Sequence, residues 1–91
     1  MEQNTYEQYD QLFCYRIKPE AQLAFDTDSG QYIHSYTHAQ IDGNQKVDRE
    51  TYLHLQEVMK KGIAYQLGID KKYLESISQE EYQQIRASKS L

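Results

Sequence analysis

The chain has 91 residues and a net charge of −4, which fits one domain with a single modest core and little surface for a deep substrate pocket. Cys14 is its only cysteine, so an internal disulfide is excluded. We recognise neither a basic and apolar leader nor an apolar run long enough to cross a bilayer. The composition therefore predicts a cytoplasmic protein.

The charge is distributed unevenly along the chain. Residues 1–45 carry seven acids against two bases, whereas residues 46–91 carry eight bases and seven acids. An acidic first half disfavours contact with phosphate backbones and favours basic partners. The alternative is that mild negative charge only keeps a small protein in solution.

Alternating apolar residues in the first half of the chain predict strands. An Asn4–Glu7 capping box allows a short helix ahead of them. The first strand is predicted over 12–18, the second over 21–25 and the third over 31–41. Residues 26–30 (DTDSG) form a strong turn signal between the second and third strands. The three strands together predict an antiparallel meander.

Helical spacing begins after residue 44. Asp48 is a suitable N-cap for a helix over Arg49–Leu67, whose apolar stripe is Tyr52, Leu55, Met59, Ile63 and Leu67. Gly68 is placed to end this helix in a Schellman motif. A second, short helix is predicted from Lys71 to Ile77, and a capping box at residues 78–81 (SQEE) opens a last helix.

These elements predict one α+β domain over residues 1–91. Its sheet half spans about 12–41, and its helical half spans about 48–87. The expected architecture is a three-stranded antiparallel meander followed by a long helix packed on the sheet and two short C-terminal helices.

Residues with catalytic or metal-binding chemistry are scattered. His34 and His38 are four strand residues apart, ~13 Å, which is too far to share one metal ion. Glu50, His54 and Glu57 share one helix facet but lack the two-histidine zinc signature, and a solvated charged face explains them more simply. No nucleophile elbow or phosphate-binding loop is present. We therefore predict no catalytic residue, no cofactor and no metal ion.

The leading functional prediction is a small, non-catalytic regulatory or inhibitory protein. Its acidic surface would contact a basic partner protein, including one that itself handles nucleic acid, and homo-oligomers are left open. The prediction requires that Tyr32 and Tyr36 point outward from the third strand. The predicted partner-binding residues are Asp26, Asp28, Tyr32, Tyr36 and Asp42.

An alternative prediction is a DNA-binding regulator. The segment 63–77 resembles the helix-turn-helix motif of small repressors, with small Ala64, the turn glycine Gly68 and the apolar residues Ile69, Leu74 and Ile77. The resemblance implies that the second helix would present Lys71, Lys72 and Ser76 to phosphates or base edges. A plain helical hairpin has the same pattern, and the acidic first half offers no supporting basic stripe.

Overall fold

The computed structural model describes residues 8–41 and 45–89 and has the predicted α+β class, with a three-stranded antiparallel sheet and one long helix. Within these residues, two short 3-10 turns, Pro19–Ala21 and Lys71–Tyr73, interrupt the regular elements. In chain order the strands and helices are β1 (Leu12–Ile17), β2 (Phe25–Asp26), β3 (Gln31–Tyr32), β4 (Ser35–Gln40), α1 (Arg49–Leu67), β5 (Leu74–Ile77) and α2 (Gln79–Lys89).

β1 is the central strand of the sheet, whose order is β4-β1-β5. It pairs antiparallel with β4 along its whole length, with Leu12 opposite Gln40. It also pairs antiparallel with β5, with Cys14 opposite Ile77. Side chains alternate between the two faces of a strand, so odd-numbered residues of β1 point to one face and even-numbered residues to the other.

α1 covers the face that the odd-numbered residues of β1 share. The Phe13 and Tyr52 rings stack with their centroids 4.8 Å apart. The Tyr15 hydroxyl donates a hydrogen bond to the Gln56 carbonyl at 2.6 Å, which ties the helix to the sheet. The buried residues of this main core are Phe13, Tyr15, Ile17, Tyr52, Ile63, Ala64 and Leu74.

α2 covers the opposite face, which makes the fold a three-layer arrangement with the sheet in the middle. Arg16 lies on this face and pairs with Glu75 at 2.9 Å and Glu81 at 3.5 Å. The smaller cluster under α2 consists of Cys14, Ile77 and Tyr82. Because both faces of β1 are covered, its central residues Phe13, Cys14 and Tyr15 are 0% exposed.

The predicted bounds of α1 are confirmed, and its ends have the expected caps. The Asp48 carboxylate accepts a hydrogen bond from the Thr51 N–H at 2.8 Å. Gly68 ends the helix with a φ of 71°, a left-handed conformation that glycine adopts without a steric penalty. The Ile69 N–H then donates to the Ala64 carbonyl at 3.0 Å, as in a Schellman motif.

Two of the three predicted strands differ from the structure. The second is wrong over most of 21–25, because Pro19–Ala21 form a 3-10 turn and the strand itself is limited to Phe25–Asp26. The third is broken between Tyr32 and Ser35 into β3 and β4, and β2 and β3 form a separate two-stranded ribbon. The strands therefore do not form the predicted meander. The predicted N-terminal helix at Asn4–Glu7 lies outside the described residues.

The predicted helix from Lys71 to Ile77 is wrong, so the described residues contain two α-helices. One 3-10 turn is followed by β5, which pairs with the second edge of β1. Leu74 and Ile77 are three residues apart and would share a face in a helix. As a strand they point to opposite faces, so Leu74 joins the core under α1 and Ile77 the cluster under α2.

Candidate functional site

A hairpin connects β1 to β4 along the chain, and its residues contribute to neither of the two buried clusters. Its strands β2 and β3 pair Phe25 with Tyr32, and the pairing continues where the Ile33 N–H donates to the Ala24 carbonyl at 2.9 Å. The Gly30 N–H closes the turn by donating to the Asp26 carbonyl at 2.8 Å. We call residues 23–33 the acidic hairpin.

Large apolar side chains are exposed together on the acidic hairpin. The Phe25 and Tyr32 rings meet edge to face, with centroids 5.2 Å apart. Leu23, Phe25, Tyr32 and Ile33 are each 41–53% exposed and belong to neither buried cluster. Single exposed apolar residues are ordinary, but several within eleven residues of one hairpin are typical of an interaction surface.

The charge of the protein is concentrated in the same part of the chain. Residues 19–45 contain four acids, Glu20, Asp26, Asp28 and Asp42, and no lysine or arginine. The rest of the chain has ten acids and ten bases, so this segment accounts for the whole formal charge of −4. Aromatic rings beside uncompensated carboxylates suit a cationic side chain, since a ring face and a carboxylate both attract it.

The two aspartates of the acidic hairpin have different roles. The Asp26 carboxylate accepts a hydrogen bond from the Asp28 N–H at 3.1 Å, which is an Asx turn, and Asp26 is half-buried. Asp28 contributes its backbone to that turn while its side chain is exposed. Asp26 therefore stabilises the turn and also adds a negative charge to it, whereas the exposed Asp28 carboxylate can contact a partner.

Three of the five predicted partner-binding residues, Asp26, Asp28 and Tyr32, lie together on the acidic hairpin. Tyr36 does not, because its strand turns it towards α2, where it is half-buried beside the Cys14 cluster. The expectation that Tyr36 points outward is therefore wrong. Its ring lines a cleft of about 250 Å³ with Glu81, Gln84, Ile85 and Ser88. Asp42 lies outside the described residues.

The residues predicted to bind DNA are not on an α-helix. Lys71 and Lys72 are exposed on the 3-10 turn, and the Lys72 Nζ lies 5.3 Å from the centroid of the Tyr73 ring. Ser76 is exposed in β5. The second helix that would enter a DNA groove is absent from this segment, so the resemblance to a helix-turn-helix does not extend to its geometry.

The other polar groups considered in the sequence are dispersed or have structural contacts. No group of three or more His, Cys, Asp or Glu is arranged to hold a metal ion within residues 8–41 and 45–89. The His38 Nδ1 lies 2.8 Å from the hydroxyl of the buried Tyr82. Burial raises the pKa of the Cys14 thiol to about 11, which suppresses its reactive thiolate form.

Sequence reasoning missed the apolar part of the candidate site. Leu23, Phe25 and Ile33 have the same residue types as core strand residues, and only the absence of a covering element distinguishes them. The lack of lysine and arginine over 19–45 was the one available signal in the sequence.

Comparisons with protein-family models, with curated proteins and with solved structures found no match for this chain. Among the described residues, no helix combines the length and apolar character that crossing a membrane requires.

Proposed function

We propose that this protein is a small, non-catalytic binding protein whose acidic hairpin contacts a basic partner protein. The observation that supports it most is that the exposed aromatic pair Phe25–Tyr32 and the uncompensated acidic charge lie in the same hairpin. Interface centres are enriched in aromatic residues, and complementary charge speeds the encounter and selects the partner. Regulation or inhibition of the partner, a cytoplasmic location and a partner that handles nucleic acid belong to this proposal.

The chemistry of the hairpin favours arginine-rich or lysine-rich surfaces. A guanidinium group can stack against the Phe25 or Tyr32 ring while it pairs with the Asp28 carboxylate. Leu23 and Ile33 add apolar area next to these contacts. An acidic or nucleic acid partner would meet the four carboxylates of residues 19–45 without any opposing cation.

Affinity capture with charge variants tests this proposal. Wild-type protein is compared with Asp28→Lys, which reverses an exposed charge and keeps the Asp26 carboxylate that caps the turn. Glu57→Lys on α1 is the matched control, because it makes the same charge change at a carboxylate that is 58% exposed and loses one ion pair, 3.4 Å long, with the mostly buried Lys60. We expect Asp28→Lys to lower recovery of a basic partner about tenfold and Glu57→Lys to leave it unchanged.

Two outcomes of the capture experiment would contradict the proposal. One is that Asp28→Lys recovers the same partners as the wild type. The other is that Asp28→Lys and Glu57→Lys reduce recovery equally, because net charge alone would then account for binding.

DNA binding is a weaker second proposal that depends on the exposed pair Lys71 and Lys72. A gel-shift titration with mixed duplex DNA at low salt tests it, and binding through phosphates would weaken steeply as salt is added. The double variant Lys71→Ala, Lys72→Ala should then abolish the shift. Absence of a shift at high micromolar protein would contradict this proposal.

A further inference from the structure

β4 begins two residues after the acidic hairpin and forms one edge of the three-stranded sheet. Just after β4, the Ile41 N–H donates a hydrogen bond to the Gln11 carbonyl at 3.0 Å, on the side of β1. In an antiparallel pair, both backbone groups of one residue point to the same side, and that side alternates along the strand. The odd-numbered residues of β4 therefore bond to β1, and even-numbered His38 and Gln40 direct their N–H and C=O groups away from it.

The residues of β4 include none of the side chains that commonly protect an edge strand. Natural edge strands are commonly blocked by lysine, other charged side chains, proline or a bulge. Ser35–Gln40 (SYTHAQ) contains no proline and no Asp, Glu, Lys or Arg. At about 3.3 Å per residue, the part of this strand from Thr37 to Gln40 offers about 13 Å of edge to an added strand.

The other edge of the sheet, on β5, is a poorer template. β5 has four residues against the six of β4. Its Leu74 N–H is already bonded to the Lys71 carbonyl at the end of the 3-10 turn. Among the described residues, β4 is therefore the longer edge strand and the one that leads directly into the acidic hairpin.

We propose that the basic partner binds through an extended segment that adds to β4 as an antiparallel strand, an inference that rests on the proposed function. β4 runs away from the hairpin, so the C-terminal part of an antiparallel segment would lie nearest to Asp28 and the Phe25–Tyr32 pair. Backbone bonds to β4 would give affinity, and the acidic hairpin would select basic side chains. Charge complementarity between residues 19–45 and a basic segment is what favours this occupant over a second copy of the acidic chain.

Amide hydrogen exchange at single residues tests the added strand. The probe is an acetylated and amidated heptapeptide of alternating arginine and valine, titrated against the whole chain. We expect saturating peptide to slow exchange of the His38 and Gln40 amides at least tenfold. The Thr37 and Ala39 amides, which already face β1, are the internal controls and should change little.

A backbone variant gives an independent measure. Gln40→Pro removes one outward N–H at an exposed position and leaves the bonds between β4 and β1 in place. Gln40→Ala is its control, because it removes the side chain and keeps that N–H. We expect Gln40→Pro to weaken peptide binding about fivefold relative to Gln40→Ala, as for the loss of one backbone hydrogen bond.

The outcomes separate this inference from the proposed function. If the peptide binds and Asp28→Lys weakens it, but the His38 and Gln40 amides gain no protection, strand addition is overturned and the acidic hairpin stays the binding site. If the peptide does not bind, strand addition is overturned, and the capture experiment decides the proposed function separately. Protection of both amides without peptide, increasing with protein concentration, would assign the edge to a second copy and overturn the inference.

Discussion

Truncation of Phe25 separates a binding role from a packing role. The ring is 53% exposed and meets Tyr32 edge to face, outside both buried clusters. Taking about 200 Å² for a phenylalanine side chain, about 100 Å² remains for a partner to cover. At about 25 cal/mol per Å², that area contributes at most about 2.5 kcal/mol to binding, or about 70-fold in Kd.

We therefore expect Phe25→Ala to raise the Kd for the basic partner by about 10–70-fold, because ordering costs consume part of the burial energy. Its free energy of unfolding should fall by about 1–2 kcal/mol, from the lost aromatic pair and the buried half of the ring. Phe13, 0% exposed in the core, gives the contrast: Phe13→Ala should cost about 3–5 kcal/mol. Isothermal titration calorimetry and urea unfolding measure the two quantities.

Leu53→Ala is the matched control, since Leu53 is a large apolar residue of α1 that is 44% exposed. It should leave the Kd within about twofold, because α1 lies outside the acidic hairpin. A Kd for Phe25→Ala within threefold of wild type would show that the partner does not cover the Phe25 ring. An equal loss of affinity in Phe25→Ala and Leu53→Ala would show that binding is not specific to the acidic hairpin.

Three further predictions concern the buried and paired groups of the sheet. Burial raises the pKa of the Cys14 thiol from 9.0 to about 11. At pH 8 a thiol reagent should therefore react about 100-fold more slowly with native than with urea-unfolded protein. Equal rates would show that Cys14 is accessible. The same shift makes the thiol's contribution to stability complete below about pH 9 and lost as the pH rises towards 11, and Cys14→Ala should lack that alkaline decline in urea titrations. Tyr15→Phe removes the hydrogen bond to the Gln56 carbonyl and should lower stability by about 1 kcal/mol, or about 4–8 °C in Tm; an unchanged Tm would contradict this contact. The hydrogen bond from Arg16 lowers the pKa of the Glu75 carboxyl, so the contribution of Glu75 is present above about pH 4.5 and is lost as the pH falls through the lowered value. Glu75→Gln should flatten the acid limb of the stability profile, and an identical acid limb in variant and wild type would argue against the pair.

Local signals explain why α1 could be predicted to the residue. Asp48 caps its first turn and Gly68 ends its last, and both interactions involve only neighbouring residues. The β1 strand was predictable for a similar reason, since its alternation is visible in six consecutive residues. These elements need no information about distant parts of the chain.

The β5 strand shows where local signals are insufficient. Asp70 does cap a turn, with its carboxylate accepting from the Lys72 N–H at 2.9 Å. That turn ends after Tyr73, because residues 74–77 satisfy the open edge of β1 and fill both clusters. The choice between helix and strand at this point depends on a partner strand about 60 residues earlier in the chain.

The candidate site was predictable only in its polar part. Turn chemistry identifies Asp26 and Asp28, and tyrosine enrichment suggests Tyr32. The alternation of strand residues suggests Tyr36 equally well, but α2 covers that face and half-buries it. Whether a strand residue is exposed depends on which helix packs over its face of the sheet. The alternation of residues along the strand shows which residues share a face, but it does not show which face a helix covers.

Mapping the binding footprint on this chain distinguishes the acidic hairpin from every other surface of the protein. Amide chemical shifts recorded while the captured basic partner is added should change at residues 20–40, above all at Phe25, Asp28 and Tyr32. Residues of α1 and the turn at Lys71 and Lys72 should keep their shifts. A footprint on α1 or on that lysine turn, with the acidic hairpin unaffected, would show that the hairpin is not the binding site.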